Sequence, residues 1–299
     1  MHRMPAAALL VAWTLDACFG EAPNVVHPVA WLGRVLGPVG RRLCSWQPAA
    51  ALVGATLAWL AMAALLAGAS SWLQAELATW PGWLGAIALG CLLKPCFAWR
   101  MLRDEVAAVE LALGQSLQAG RERVARLASR DVSRLQACEV RETAIETLAE
   151  NLNDSVLAPL LWFVLGGLPG AVVYRFANTA DAMWGYRGRY EWAGKFAARA
   201  DDVLSWIPAR LSAWLICPSP RCWAGVRRQA ALTPSPNGGW PMGAMALRLG
   251  VRLRKTGVYA LNAQAASPGP RHSAQALRIA TRTAWLGMVA AVLACAWSR

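Results

Sequence analysis

The chain has 299 residues, 57% of them hydrophobic and only 16% charged, whereas a typical soluble domain carries roughly 25% charge. Composition excludes an ordinary soluble domain and points to an integral membrane protein. The formal net charge of +13 comes without a legible nucleic-acid module, so the expected partners are a bilayer and anionic small molecules, with no nucleic acid.

Pro5 to Ala12 is a short apolar run that could pass for a secretory signal. Trp13, Asp16 and the segment from Gly20 to Gly33 follow it with no separate small-residue cleavage site, so it is expected to belong to the mature protein. Leu43 to Ala75, Leu77 to Leu93, Ser155 to Tyr174 and Thr283 to Ser298 lack Asp, Glu, Lys and Arg, as membrane-crossing segments should. Ala49 to Ala69 and Trp80 to Trp99 read as a helical hairpin. Arg34, Arg41 and Arg42 before it, and Arg100 and Arg103 after it, place both flanks in the cytoplasm. Lys94 lies near that end and is expected to snorkel without further function.

From Arg100 to Asp154 the chain is soluble in character, with ten acids and eight arginines. Val106, Val109, Leu113 and Leu117 fall at helical spacing, and Gln118-Ala119-Gly120 predicts a break between two helices, with an interruption near Ser129 to Ser133. The expectation is a cytoplasmic helical insertion at about 100–154 in a single domain covering 1–299. Within it Glu142, Glu146, Glu150 and Asp154 recur every four residues. Like charges at that spacing repel. Either Mg2+ or arginines such as Arg141 or Arg199 would compensate them, and the spacing does not choose between the two.

Ser155 to Tyr174 is uncharged, yet Gly166-Gly167-Leu168-Pro169-Gly170 stands in its middle, where a straight helix should be strongest. This predicts two short helices, Val156 to Leu165 and Ala171 to Trp184, hinged so that the segment dips into the bilayer and returns. Ten helical residues rise about 15 Å, roughly half a hydrocarbon core. The polar clusters from Glu150 to Ser155 and from Asn178 to Asp181 would then reach one face; a single kinked crossing would separate them. Asn178 and Asp181 share a helix face, and Asp201-Asp202 follow, then Pro208-Ala209-Arg210. Such groups suit Mg2+ with phosphate, although an Asp pair at a helix end also serves as a cap.

Residues 203–299 hold 12 Lys or Arg and no acid, which suits anionic lipid or a funnel for a phosphorylated or carboxylated substrate. The eight cysteines form no C-x-x-C pair, so neither zinc nor a disulfide framework is expected.

Several blocks keep a shared order. Leu15-Asp16, Gly20-Glu21, His27-Pro28-Val29 and Gly33 come first, then Ser129-Arg130-Asp131, Arg141, Glu146 to Asn151 and Asp154. Ala158-Pro159-Leu160 and the Gly166 to Gly170 break lead to Asn178-Thr179, Asp181 and Gly185-Tyr186-Arg187. Ala198-Arg199, Asp201-Asp202, Pro208 to Leu211, Ser235-Pro236-Asn237 and Gly239-Trp240-Pro241 complete the set. Together, from about Leu15 to Tyr259, they resemble the CobD/CbiB family of cobalamin biosynthesis. The chain departs from the family pattern at Ser205, where Asn is usual, before Ser235, where a histidine is expected, and at Arg254-Lys255, which replace a Gly-rich step.

The residues read as an all-α, polytopic membrane protein with cytoplasmic helices and a broken apolar segment, re-entrant or kinked, and the resemblance implies the cell inner membrane with a cytoplasmic active face. It implies an adenosylcobinamide-phosphate synthase that uses ATP and Mg2+ to join aminopropanol, or its phosphate, to a propionate carboxylate of adenosylcobyric acid. Association with other enzymes of the pathway is also implied, and a non-catalytic corrinoid scaffold or carrier is the alternative. Glu146, Glu150, Asn151, Asp154, Asn178, Asp181 and His27 are the candidate catalytic residues. Arg130, Arg187, Arg199, Arg210 and Asn237 are candidates for substrate binding, and Glu150, Asp154, Asp181, Asp201 and Asp202 for metal. A histidine before proline at a helix entry is more often structural, which is the other reading of His27.

Overall fold

The computed structural model describes residues 4–128, 131–186 and 188–297. Regular structure begins with α1 (Met4–Phe19), α2 (Pro28–Leu43), α3 (Pro48–Leu77), α4 (Gly82–Leu93), α5 (Trp99–Gln115), α6 (Leu117–Val124) and α7 (Ala137–Leu152). It continues through α8 (Ala158–Trp184), α9 (Lys195–Leu204), α10 (Trp206–Ile216), α11 (Pro220–Ala230) and α12 (Gly239–Leu249). Strands β1 (Leu253–Lys255) and β2 (Tyr259–Leu261) precede α13 (Pro270–Trp297). Among the described residues four helical runs, Pro48–Leu77, Gly82–Gln115, Ala137–Trp184 and Pro270–Trp297, are long and apolar enough to cross a membrane. The chain is an all-α, multi-pass membrane protein by these measures, with one minimal hairpin.

Contacts divide it into two compact units, one of residues 1–98, 158–205 and 288–299, the other of 99–157 and 206–287. The stretch expected as an insertion at about 100–154 therefore folds together with 206–287. In the first unit, α3 buries a stripe of mostly small residues, Ala51, Ala55, Ala63 and Ser70 around Trp59, and exposes Val53, Leu57, Leu65 and Trp72. That inversion suits lipid, where close backbone approach favours small residues at the helix interface and apolar side chains face outward. Helix α4 is shorter than the expected Trp80 to Trp99 span. It ends at Leu93 and passes into a 3-10 turn over Lys94–Cys96, because Pro95 lacks the N–H that would continue the ladder.

Helix α8 is two arms. Gly167 has φ 64° and ψ −155°, a conformation open essentially to glycine alone. A side chain at Gly170 would collide with the carbonyl oxygen of Trp162, although these residues lie about 12 Å apart along a straight helix. The neighbours agree: Trp162 Nε1 donates to the Leu204 carbonyl at 3.0 Å, and Tyr174 Oη lies 3.0 Å from Ser205 Oγ. The chain thus turns back at the break as a helical hairpin, and a single kinked crossing does not describe it. Ser205, the departure from the family pattern, ties the second arm to α9.

In the second unit the break between α5 and α6 falls at Ser116, whose Oγ accepts the Ala119 N–H at 3.0 Å. Gln118 to Gly120, the expected break, lie inside α6. Gly120 is needed for packing, since a Cβ there would collide with Leu113. Helix α7 passes into a π turn over Asn153–Leu157. β1 and β2 pair antiparallel with Lys255 opposite Tyr259, through a turn in which Gly257 takes φ 76°.

Candidate functional site

Thr143, Glu146, Thr147, Glu150 and Asn151 recur at i, i+3, i+4, i+7 and i+8, which brings them to one face of α7. They line a cavity of about 90 Å3 whose other walls include Lys255 and Tyr259. Directly opposed residues of an antiparallel pair project from the same face, so the hairpin presents Lys255 and Tyr259 together. Neither was identified from sequence as a site residue; the signal was Lys255 itself, standing in place of a Gly-rich step.

The acid stripe does not act as one set. Glu142 is fully buried and lies 3.5 Å from Arg252 and 3.9 Å from Arg254, which also reaches Glu139 at 2.8 Å. Arg141 pairs instead with Glu110 at 2.7 Å, and Arg199 is exposed, 3.7 Å from Asp202. The arginines expected to neutralise the stripe are thus engaged elsewhere, and the basic C-terminal third supplies the counter-charge. Asp154 lies in the π turn, where Asn153 Nδ2 donates to its Oδ1 at 2.7 Å and Ser212 Oγ donates to Asn153 Oδ1 at 2.8 Å. A π turn carries an extra residue and shifts the helical register, so Asp154 does not continue the four-residue row.

Arg210 and Asn237, expected to bind substrate, hold each other. The Arg210 guanidinium lies between Trp206 and Trp240, 4.4 and 4.6 Å from their ring centroids. It donates to Asn237 Oδ1 at 2.6 Å and to the Pro236 carbonyl at 3.2 Å. Ser235 Oγ accepts the N–H groups of Asn237 and Gly238. This fixes Gly238 so close to Glu150 that a Cβ would lie 3.0 Å from Oε1.

In the first unit Asn178 Nδ2 lies 3.5 Å from Asp201 Oδ1. Asp181 is half-buried and the like charge of Asp202 opposes its own, and a side chain at Gly185 would overlap the Asp181 carboxylate. Burial raises the Asp202 pKa above the usual carboxylate value, and Arg199 partly offsets this. Among the described residues no three His, Cys, Asp or Glu gather as a metal-holding group. Arg130 and Arg187 lie outside the described residues.

His27 caps α2, its Nδ1 accepting the Val29 N–H at 3.2 Å while Nε2 contacts Glu21 Oε2 at 2.6 Å. An Nδ1 that accepts leaves the proton on Nε2 for Glu21. Both ring nitrogens are therefore committed, which favours the structural reading. Lys94, far from snorkelling, reaches Glu21 Oε1 at 2.5 Å and Asp16 Oδ1 at 3.1 Å. A lone cation in an uncharged run, with two lone acids earlier in the chain, carried that signal, because charges at membrane depth pair with one another.

Fold and site together define a polytopic helical membrane protein with an acid- and amide-lined polar pocket on α7. The chain belongs to the CobD/CbiB family, whose model, described as CobD/Cbib protein, matches residues 9–286. The probable cobalamin biosynthesis protein CobD of Pyrococcus abyssi is 40% identical over 262 residues, 87% of this chain and 86% of the relative. The cobalamin biosynthesis protein CobD of Rhodobacter capsulatus is 36% identical over 321 aligned positions, 98% of each chain. That of Dehalococcoides mccartyi is 37% identical over 265, covering 84% and 85%. No solved structure matches the chain significantly.

Proposed function

We propose that the chain is an adenosylcobinamide-phosphate synthase of cobalamin biosynthesis, acting at the cytoplasmic face of the cell inner membrane. It joins an aminopropanol arm, as the free alcohol or its phosphate, to a propionate carboxylate of adenosylcobyric acid with consumption of ATP. The observation that carries this reading is the cavity of Glu146, Glu150, Asn151 and Lys255 in a chain whose relatives are named for cobalamin biosynthesis.

Amide formation needs a carboxylate oxygen made into a leaving group and an amine stripped of its proton. Phosphorylation by ATP meets the first need, with ADP released and phosphate leaving when the amide forms. Glu146 and Glu150 meet the second, taking the proton that the ammonium must lose before its nitrogen can attack. Asn151 holds itself to the α7 backbone, Nδ2 donating to the Thr147 carbonyl at 3.1 Å, so its amide is a fixed polar group at that wall.

Mg2+ usually keeps several waters and takes one or two carboxylates together with substrate phosphates. Asp181 and Asp202, whose like charges oppose each other, are the pair that a cation arriving on phosphate would relieve, and phosphate oxygens would have to complete its shell because no third acid joins them among the described residues. When bound, Mg2+ would offset phosphate charge during transfer. Glu150 and Asp154 fit less well, Glu150 because Lys255 shares its cavity and Asp154 because Asn153 occupies Oδ1.

Purified protein in detergent, given adenosylcobyric acid, ATP, Mg2+ and aminopropanol phosphate, tests the reading. Formation of the amide with stoichiometric ADP supports it; corrinoid binding without ATP consumption would favour the scaffold alternative.

A further inference from the structure

A cavity of about 360 Å3 in the first unit is apolar where the one on α7 is polar. The second arm of α8 lines it with Leu168, Val172 and Arg175, which fall at i, i+4 and i+7 and so share one face. Helix α3 adds Leu66, Ala69 and Leu73, and the first turns of α2 and the end of α4 form the sides. Gly167 abuts the Gln74 side chain, which sets Leu168 beside Leu73 at one end. Leu66 packs against the cluster that holds Phe176 and marks the other end, where Arg175 stands. Seven helical residues separate Leu168 from Arg175, about 10 Å along the arm. The cavity is thus an apolar trough, and among the described residues Arg175 is the one charged side chain that lines it.

That pattern selects among occupants. A nucleotide or sugar would bury polar groups against hydrocarbon walls, a cationic amphiphile would meet Arg175, and a plain hydrocarbon gains nothing from it. An anionic amphiphile satisfies both features, its chain covering the apolar side chains and its phosphate accepting from the guanidinium fork. Basic pockets between membrane helices hold anionic head groups in this way. Helix α2, which forms one side, exposes Trp31 together with Arg34, Arg41 and Arg42, the composition of a helix at head-group level. We propose that the trough binds an anionic phospholipid of the surrounding bilayer, with one acyl chain along α3 and the second arm of α8 and the phosphate at Arg175. This site is separate from the chemistry proposed for α7 and does not depend on it.

Native mass spectrometry of the full-length protein tests this, after incubation in neutral detergent with equal amounts of phosphatidylglycerol and phosphatidylcholine of identical acyl chains. Phosphatidylglycerol should be retained at least fivefold over phosphatidylcholine. Arg175→Gln should bring that ratio within twofold of unity, and Arg175→Lys, which keeps the charge, should preserve at least half of the preference. Ala69 is exposed, so Ala69→Trp fills the trough without disturbing a packed core and should lower retention of both lipids several-fold while Arg175 is intact. Equal retention of the two lipids by the unsubstituted protein overturns the site. An unchanged preference in Arg175→Gln, or undiminished retention in Ala69→Trp, does so as well, and the second variant decides the matter if the first does not fold. Palmitate added in the same assay separates the sources: if it displaces phosphatidylglycerol at equal concentration, the occupant is a free fatty acid and the phospholipid assignment fails.

Discussion

Gln74 on α3 accepts the amide hydrogen of Leu168 through Oε1 at 2.6 Å. Leu168 follows Gly167, whose conformation breaks α8, so its N–H has lost its place in the helical ladder. Non-helical backbone among apolar helices persists only where such freed groups find partners. One amide side chain from a neighbouring helix supplies that partner at the tip of the hairpin.

Gln74→Leu should therefore leave the Leu168 N–H unsatisfied and cost about 1–3 kcal/mol. Thermal unfolding in detergent should report a lower midpoint, and hydrogen exchange should quicken at Leu168 before the arms themselves open. Gly167→Ala should add backbone strain of about 1–3 kcal/mol and press into the Gln74 amide. Undiminished protection at Leu168 in the leucine variant would falsify the role given to Gln74.

Arg252→Ala should destabilise the second unit, because Glu142 is fully buried and lies 3.5 Å from Arg252. Arg254 remains 3.9 Å away, so the loss should fall below the roughly 3–5 kcal/mol of a wholly orphaned buried charge. Combining it with Glu142→Gln should recover much of the loss, measured by denaturant titration in detergent. An additive double variant would separate the two residues energetically.

Arg210→Lys preserves charge but removes both the planar stack between Trp206 and Trp240 and the fork that spans Asn237 and Pro236. Protease nicking or exchange across 235–239 should rise several-fold, with exchange elsewhere in the second unit near its original rate. A direct role in phosphate binding would leave that loop unchanged and alter ligand affinity alone.

The pH dependence of Asp202 has a definite sign. Burial raises its folded pKa above the usual carboxylate value, so its contribution is fully present below the ordinary value near about 4 and is lost as pH rises through the raised one. Asp202→Asn has no charge to bury. Its unfolding midpoint should pull ahead of the unsubstituted protein as pH rises from the ordinary carboxylate range, then run parallel; a constant offset at every pH would refute the linkage.

Much of this was legible in the chain. The Gly166 to Gly170 break exposed the hairpin because glycine and proline act locally, and the acid spacing exposed the face of α7 because helical periodicity is local too. What stayed hidden was long-range pairing. No local rule says that Glu142 meets Arg252, that Lys94 meets Asp16 and Glu21, or that Gln74 serves Leu168, since each joins residues far apart in sequence. Gly120 misled for a related reason: glycine permits both a turn and close packing, and the contact with Leu113 decides which.

The π turn over Asn153–Leu157 makes this part of the molecule sensitive to length in a way that composition conceals. Each α-helical residue advances the chain by about 100°, and a π turn absorbs one residue beyond the ordinary winding. Deleting a single residue there would let α7 run on into an ordinary helical turn, with Asn153 and Asp154 moved to new positions around it. Every side chain could be retained in kind while Asp154 lost the bearing that Asn153 and Ser212 give it. Insertions and deletions at this point therefore carry a penalty that conservative substitutions do not.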